Sequence, residues 1–97
     1  MNVQYDKLIK IYLDELCRKG YKAVQCDLDK YPVYDNFYTR RYEHLVYMLE
    51  QLKDETDENK INRWLGFIQG VLWTDGFYSI NDLREHINSC KIHESPI

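Results

Sequence analysis

From Asn59 to Thr74 the chain places Ile61, Trp64, Leu65, Ile68, Val71 and Leu72 on one side of a helical period of about 3.6 residues. No other feature constrains the fold as much. The pattern predicts a helix over 59–74, closed by Gly76 two residues later. The same segment, "RWLGFIQGVLW", holds Gly66 and Gly70 four residues apart. Each costs a helix interior about 0.8–1 kcal/mol against alanine. On a helical wheel both lie opposite the main stripe, beside Asn62 and Trp73. Phe67 and Trp64 carry the apolar surface round one flank. A helix apolar over so much of its circumference is expected to be buried on more than one side. Glycines at this spacing let another backbone come close. The expected contact is a second helix of the same chain, with a symmetric partner helix or a bound ligand as the alternative. Asn62, Gly66, Gly70 and Trp73 are the candidate interface residues.

Three further segments share the helical period. Tyr5, Leu8, Ile9, Tyr12, Leu13 and Leu16 predict a helix over 3–19 that stops at Gly20, with Asp6 and Arg18 complementing its dipole. Tyr38, Tyr42, Leu45, Leu49 and Leu52 are spaced 4, 3, 4, 3 and predict a helix over 37–53, capped by Asp35 or Asn36. "SIND" places Ser79 three residues before Asp82, a capping-box variant that opens a helix over 79–90 with Ile80, Leu83 and Ile87 inward. The tail 92–97 is expected to fray. Between the first two helices Tyr21 to Cys26 reads as a short extended segment, and Pro32 disfavours helix at Tyr31. The expected fold is all-α, a single domain over 1–97. It is a compact bundle of about four helices with a longer irregular connection between helices 1 and 2. The short loops flanking the third helix favour the second, third and fourth as neighbours.

Composition narrows the function classes. A net charge of −3 with no long basic tract argues against duplex DNA as a partner. Three cysteines without a CxxC pair do not form a disulfide framework. No apolar run approaches the roughly 18 residues of a membrane span, and no signal pattern opens the chain. Nine tyrosines, two tryptophans and three phenylalanines supply an aromatic surplus suited to half-wet contact surfaces.

The chemistry-bearing clusters are few. His86, Cys90 and His93 are metal-ligand types, but the two histidines lie about 10.5 Å apart along a helix axis and cannot share one ion. The expected reading is Cys90 in the core and the histidines on the surface, with no metal. "DLDKYP" lacks the glycine and terminal glutamate of a calcium loop. No nucleophile carries a visible orienting partner, no phosphate-binding glycine loop is present, and neither an enzyme nor a cofactor is expected. A helix-turn-helix over the last two helices would read DNA through "SINDLREHINSCK", whose Asp82 and Glu85 suit a groove poorly. The better binding candidate is the stripe of the second helix away from its core: Arg40, His44, Tyr47 and Gln51, flanked by Arg41 and by the tyrosine-rich approach containing Tyr34. Arginine beside tyrosine and histidine suits a phosphate, a nucleotide or a carboxylate-bearing peptide.

The stretch "NKINRWLGFIQGVLWTDGFYSINDLREHI", with "RYEHLVYMLEQL" before it, resembles a family of small uncharacterised proteins encoded by bacteriophages and prophages. The resemblance spans roughly Tyr38 to Asn88 and carries no enzyme signature. It implies a phage protein acting in the host bacterial cytoplasm. The expected function is therefore a non-enzymatic accessory protein, a helical binding module that inhibits or sequesters a host factor, with bacterial defence as one target class. A sponge for a nucleotide signal and a small DNA-binding regulator are the alternatives. The expected partners are a host protein or a small nucleotide, with a homo-oligomer formed through the third helix.

Overall fold

Two glycine stops organise the bundle. The computed structural model describes residues 4–25 and 37–91, with side chains over 4–25 and 41–91. Four helices follow in order among these residues: α1 (Tyr5–Arg18), α2 (Phe37–Leu52), α3 (Glu58–Thr74) and α4 (Ile80–Ser89). α1 ends with Gly20 at φ 94°. The Gly20 amide donates to the Cys17 carbonyl at 2.9 Å, and the Tyr21 amide to that of Leu16 at 3.1 Å. α3 ends the same way. Gly76 sits at φ 79°. Its amide donates to Trp73 at 3.1 Å, and that of Phe77 to Leu72 at 2.8 Å. Both are Schellman caps, whose left-handed residue favours glycine.

The residues after the two caps converge. Tyr21 and Phe77 both pack tilted against the Tyr42 ring, with centroids at 4.9 and 5.2 Å. One end of the bundle is thus closed by three aromatic rings from α2 and the two cap turns.

The helix starts are local chemistry. Asp57 caps α3 by accepting from the Asn59 and Lys60 amides. At α4 the Asp82 amide donates to Ser79 Oγ at 3.0 Å, and the Ser79 amide to Asp82 Oδ2 at 2.9 Å. The two bonds complete the capping box, and the one from the Ser79 amide holds the Asp82 carboxyl below its usual range.

The all-α fold and the long gap between the first two helices are as expected, and each helix boundary falls within two residues of its predicted place. One apolar cluster joins the helices. The expected stripes reach it as Leu8, Ile9, Tyr12, Leu13 and Leu16 from α1, Tyr42, Leu45, Leu49 and Leu52 from α2, and Ile61, Leu65, Ile68 and Leu72 from α3.

Two expectations need correction. Of the neighbours expected from short loops, α2 and α3 do pack together, but the main partner of α4 is α1. It packs along α2 and also against α4. Loop length limits which helix ends meet; it does not choose which faces pack. The α1 stripe is deep, with Tyr12 and Leu16 fully buried. The Gln4 amide also bonds the Cys90 carbonyl at 2.6 Å, tying the start of α1 to the end of α4.

The second correction concerns α4. Ile80 is 45% exposed and does not join the inner face. Cys90 is buried, while Leu83, His86 and Ile87 are half-buried. On the wheel the inward direction lies between His86 and Ile87, which puts Ile80 about 70° away. His86 is therefore not the surface residue expected of it.

Asp35, Asn36, Tyr34, Pro32, His93 and the tail 92–97 lie outside the described residues, as do the side chains of Tyr38 and Arg40. Among the described residues no helix is long and apolar enough to cross a membrane.

Candidate functional site

α3 buries one side and leaves the other open. Ile61, Leu65, Ile68 and Leu72 face the core, whereas Asn62, Gly66, Gly70 and Trp73 are exposed. A Cβ at Gly66 or Gly70 would meet nothing within 4 Å. Among the described residues no helix makes the close approach expected at the glycines, and none covers a second side of α3. Phe67 and Trp73 flank this bare backbone at 57% and 51% exposure. Exposed glycines in a helix return none of their propensity cost within the single chain. Large exposed aromatics grouped on one face are the usual mark of a contact surface.

Phe67 separates two grooves. The first, about 390 Å³, runs over Gly66 and Gly70 between Phe67 and Trp73, with Arg41 and Asp75 at its edge. The second, about 470 Å³, lies between α2 and α3, walled by His44, Tyr47, Arg63, Trp64 and Phe67 over Met48. The fold therefore joins two sets of residues that are separate in sequence. His44 and Tyr47 of the predicted binding stripe stand one ring away from the predicted glycine interface.

Arg41 parts from its predicted companions. Its Nη2 lies 2.9 Å from Asp75 Oδ2, the residue capping α3. The Tyr42 hydroxyl donates to the same oxygen at 2.9 Å. Burial, then this bond to Asp75, pushes the Tyr42 phenol above its usual value. Arg41 thus helps fasten the start of α2 to the end of α3, and it borders the glycine groove rather than the His44 groove. Gln51 is exposed and lines neither. Arg63, Trp64 and Phe67 were not singled out as binding residues by sequence reasoning. Their only signal was the apolar flank of the α3 wheel, beside an exposed arginine.

His44 and Tyr47 lie near-parallel, 26° between planes and 5.8 Å between centroids. Burial lowers the His44 pKa from its ordinary value. The folded chain therefore favours the neutral ring more than the unfolded chain does. Its stability contribution is intact above about pH 6.5 and is lost as pH falls below that toward the lowered value. Urea unfolding should show the wild-type chain losing more stability than His44→Gln between neutral pH and about pH 5. Equal losses would show that the ring gives no such dependence.

The His86 and Cys90 pair serves the core. The Tyr12 hydroxyl accepts from Gln69 Nε2 at 2.9 Å and lies 3.2 Å from His86 Nδ1. Burial pushes the Tyr12 phenol up to about 12, so it stays protonated as the shared partner of Gln69 and His86. Tyr78 meets the His86 ring edge-on at 4.6 Å. Among the described residues no three His, Cys, Asp or Glu side chains converge on a common metal position.

The site thus defines an all-α module with an aromatic, glycine-floored strip along α3. Comparison with known proteins finds no matching family model, no matching curated protein and no matching solved structure.

Proposed function

We propose that this chain is a non-enzymatic accessory protein of a bacteriophage, a helical module that acts by contact and sequesters or inhibits a host factor in the bacterial cytoplasm. One observation carries the contact reading: α3 leaves two glycines bare between the exposed rings of Phe67 and Trp73. A partner backbone lying over Gly66 and Gly70 recovers dispersion contacts that the single chain forgoes. The two rings then close over it as aromatic anchors. The phage setting rests on the resemblance of the "RWLGFIQGVLW" segment, and a component of host defence is the target class it suggests. The DNA-binding alternative draws less support. The exposed side of α4 mixes Asp82 and Glu85 with Arg84, a weak match to a phosphate backbone.

A photo-crosslinking amino acid at Thr74, beside the glycine groove, tests the reading in living bacteria. The control position is Asp14, exposed on α1. The expected result is one discrete adduct to a single host protein from position 74 and none from position 14. Adducts from both positions, or from neither, overturn it.

A further inference from the structure

The groove between α2 and α3 differs chemically from the glycine groove. Flat rings wall it on both sides: the near-parallel His44 and Tyr47 on α2, and Trp64 and Phe67 on α3. Met48 and Gln25 also line it, and Arg63 is the one charged side chain among the described lining residues. The chain as a whole carries a net charge of −3. A third groove, between α1 and α2, mixes Asp6, Asp14 and Glu50 with Lys10 and Lys53. Of these three grooves, the ring-walled one presents a cation without a carboxylate among its described lining residues. Lys60, paired with Glu55 at 3.6 Å, lies with its Nζ 4.6 Å over the Trp64 ring.

We propose that this groove binds a nucleoside monophosphate: a planar base held among the rings, with its phosphate on Arg63. Three observations point to this class. The volume, about 470 Å³, lies within the usual range for a small-molecule site. Aromatic side chains stack bases of any sequence, because every base has a π-face. A guanidinium at the rim recognises a phosphate by paired charge-assisted hydrogen bonds. Phe67, 57% exposed, gains cover from a bound base that the free chain does not give it. The groove does not depend on the glycine contact, because neither Gly66 nor Gly70 lines it.

Isothermal titration of the full chain tests this with AMP, GMP, CMP and UMP. Adenosine and inorganic phosphate serve as the two halves of the ligand. The expected result is saturable binding of a monophosphate, at least about tenfold tighter than either half. Arg63→Gln should weaken the monophosphate about tenfold, the loss of one charged hydrogen-bonding partner, and leave adenosine unchanged. Tyr47→Ala should weaken monophosphate and adenosine alike, by about tenfold, through lost stacking. Arg63 is exposed, so its variant remains informative if Tyr47→Ala fails to fold. Three results overturn the proposal: no saturable heat at millimolar nucleotide, binding indifferent to Arg63→Gln, or a phosphotyrosine peptide bound more tightly than every nucleotide. None of these bears on the Thr74 crosslink, so the two readings fail separately.

Discussion

Tyr12→Ala is expected to lower the unfolding free energy by about 3–5 kcal/mol. Domains of this size hold roughly 5–15 kcal/mol in total, so the variant should lose a large share of its folded population on modest warming. Tyr12 is fully buried on α1, the helix that meets both α2 and α4. Its ring contacts those of Tyr78 and His86, at 5.8 and 5.5 Å. Truncation opens a cavity there and also leaves the Gln69 amide and His86 Nδ1 without the hydroxyl that joins them. Tyr12→Phe separates the two effects. It keeps the packing and removes only the hydroxyl, and should cost about 1–3 kcal/mol. Urea unfolding of the three proteins should rank them wild type, Tyr12→Phe, Tyr12→Ala. A Tyr12→Phe variant as stable as wild type would show that the hydroxyl network contributes nothing.

The same residue sets an alkaline limit. Its folded pKa, about 12, lies above the ordinary tyrosine value. Its contribution is then complete below about pH 10 and is lost as pH rises through the folded value. That dependence should be smaller in Tyr12→Phe.

Replacing Gly66 and Gly70 together with alanine should act in the opposite direction. Each alanine improves helix propensity by about 0.8–1 kcal/mol, so the pair should stabilise the isolated chain by about 2 kcal/mol. Among the described residues nothing stands within 4 Å of either new methyl, and neither glycine has a positive φ. At about 4–8 °C per kcal/mol for a domain of this length, the midpoint should rise by roughly 8–16 °C in dilute thermal melts. A fall would mean that the chain itself uses the glycine surface. A rise would mean that the natural sequence forgoes easily gained stability at this face, as sequences commonly do where a site must remain open.

Local chemistry made the helices legible. Gly20 and Gly76 announce their stops because a left-handed cap favours glycine, and Ser79 with Asp82 announces a start through reciprocal bonds three residues apart. The inward stripes of α1, α2 and α3 follow from spacing alone. The arrangement of the helices was not legible in the same way. His86 meets Tyr12 across 74 positions and Tyr42 meets Asp75 across 33, and no periodicity encodes such pairs. For the same reason Arg41 read as a companion of His44, when its ion pair with Asp75 draws it toward the glycines. On α3 the wheel placed Asn62, Gly66, Gly70 and Trp73 together correctly. It could not show that the described residues leave them uncovered, nor that Phe67 would link them to the rings of α2.

That uncovered face is the centre of the account, and native mass spectrometry of the full chain recovered from bacterial cells tests it most directly. Gly66→Leu with Gly70→Leu fills the open surface, where an added Cβ at either position meets none of the described residues within 4 Å, and the variant is expected to fold with an unchanged circular dichroism spectrum. The predicted result is a complex of fixed stoichiometry with the wild-type chain and its loss with the leucine variant. A wild-type chain recovered only as a bare monomer, or a complex that survives both leucines, would contradict the account.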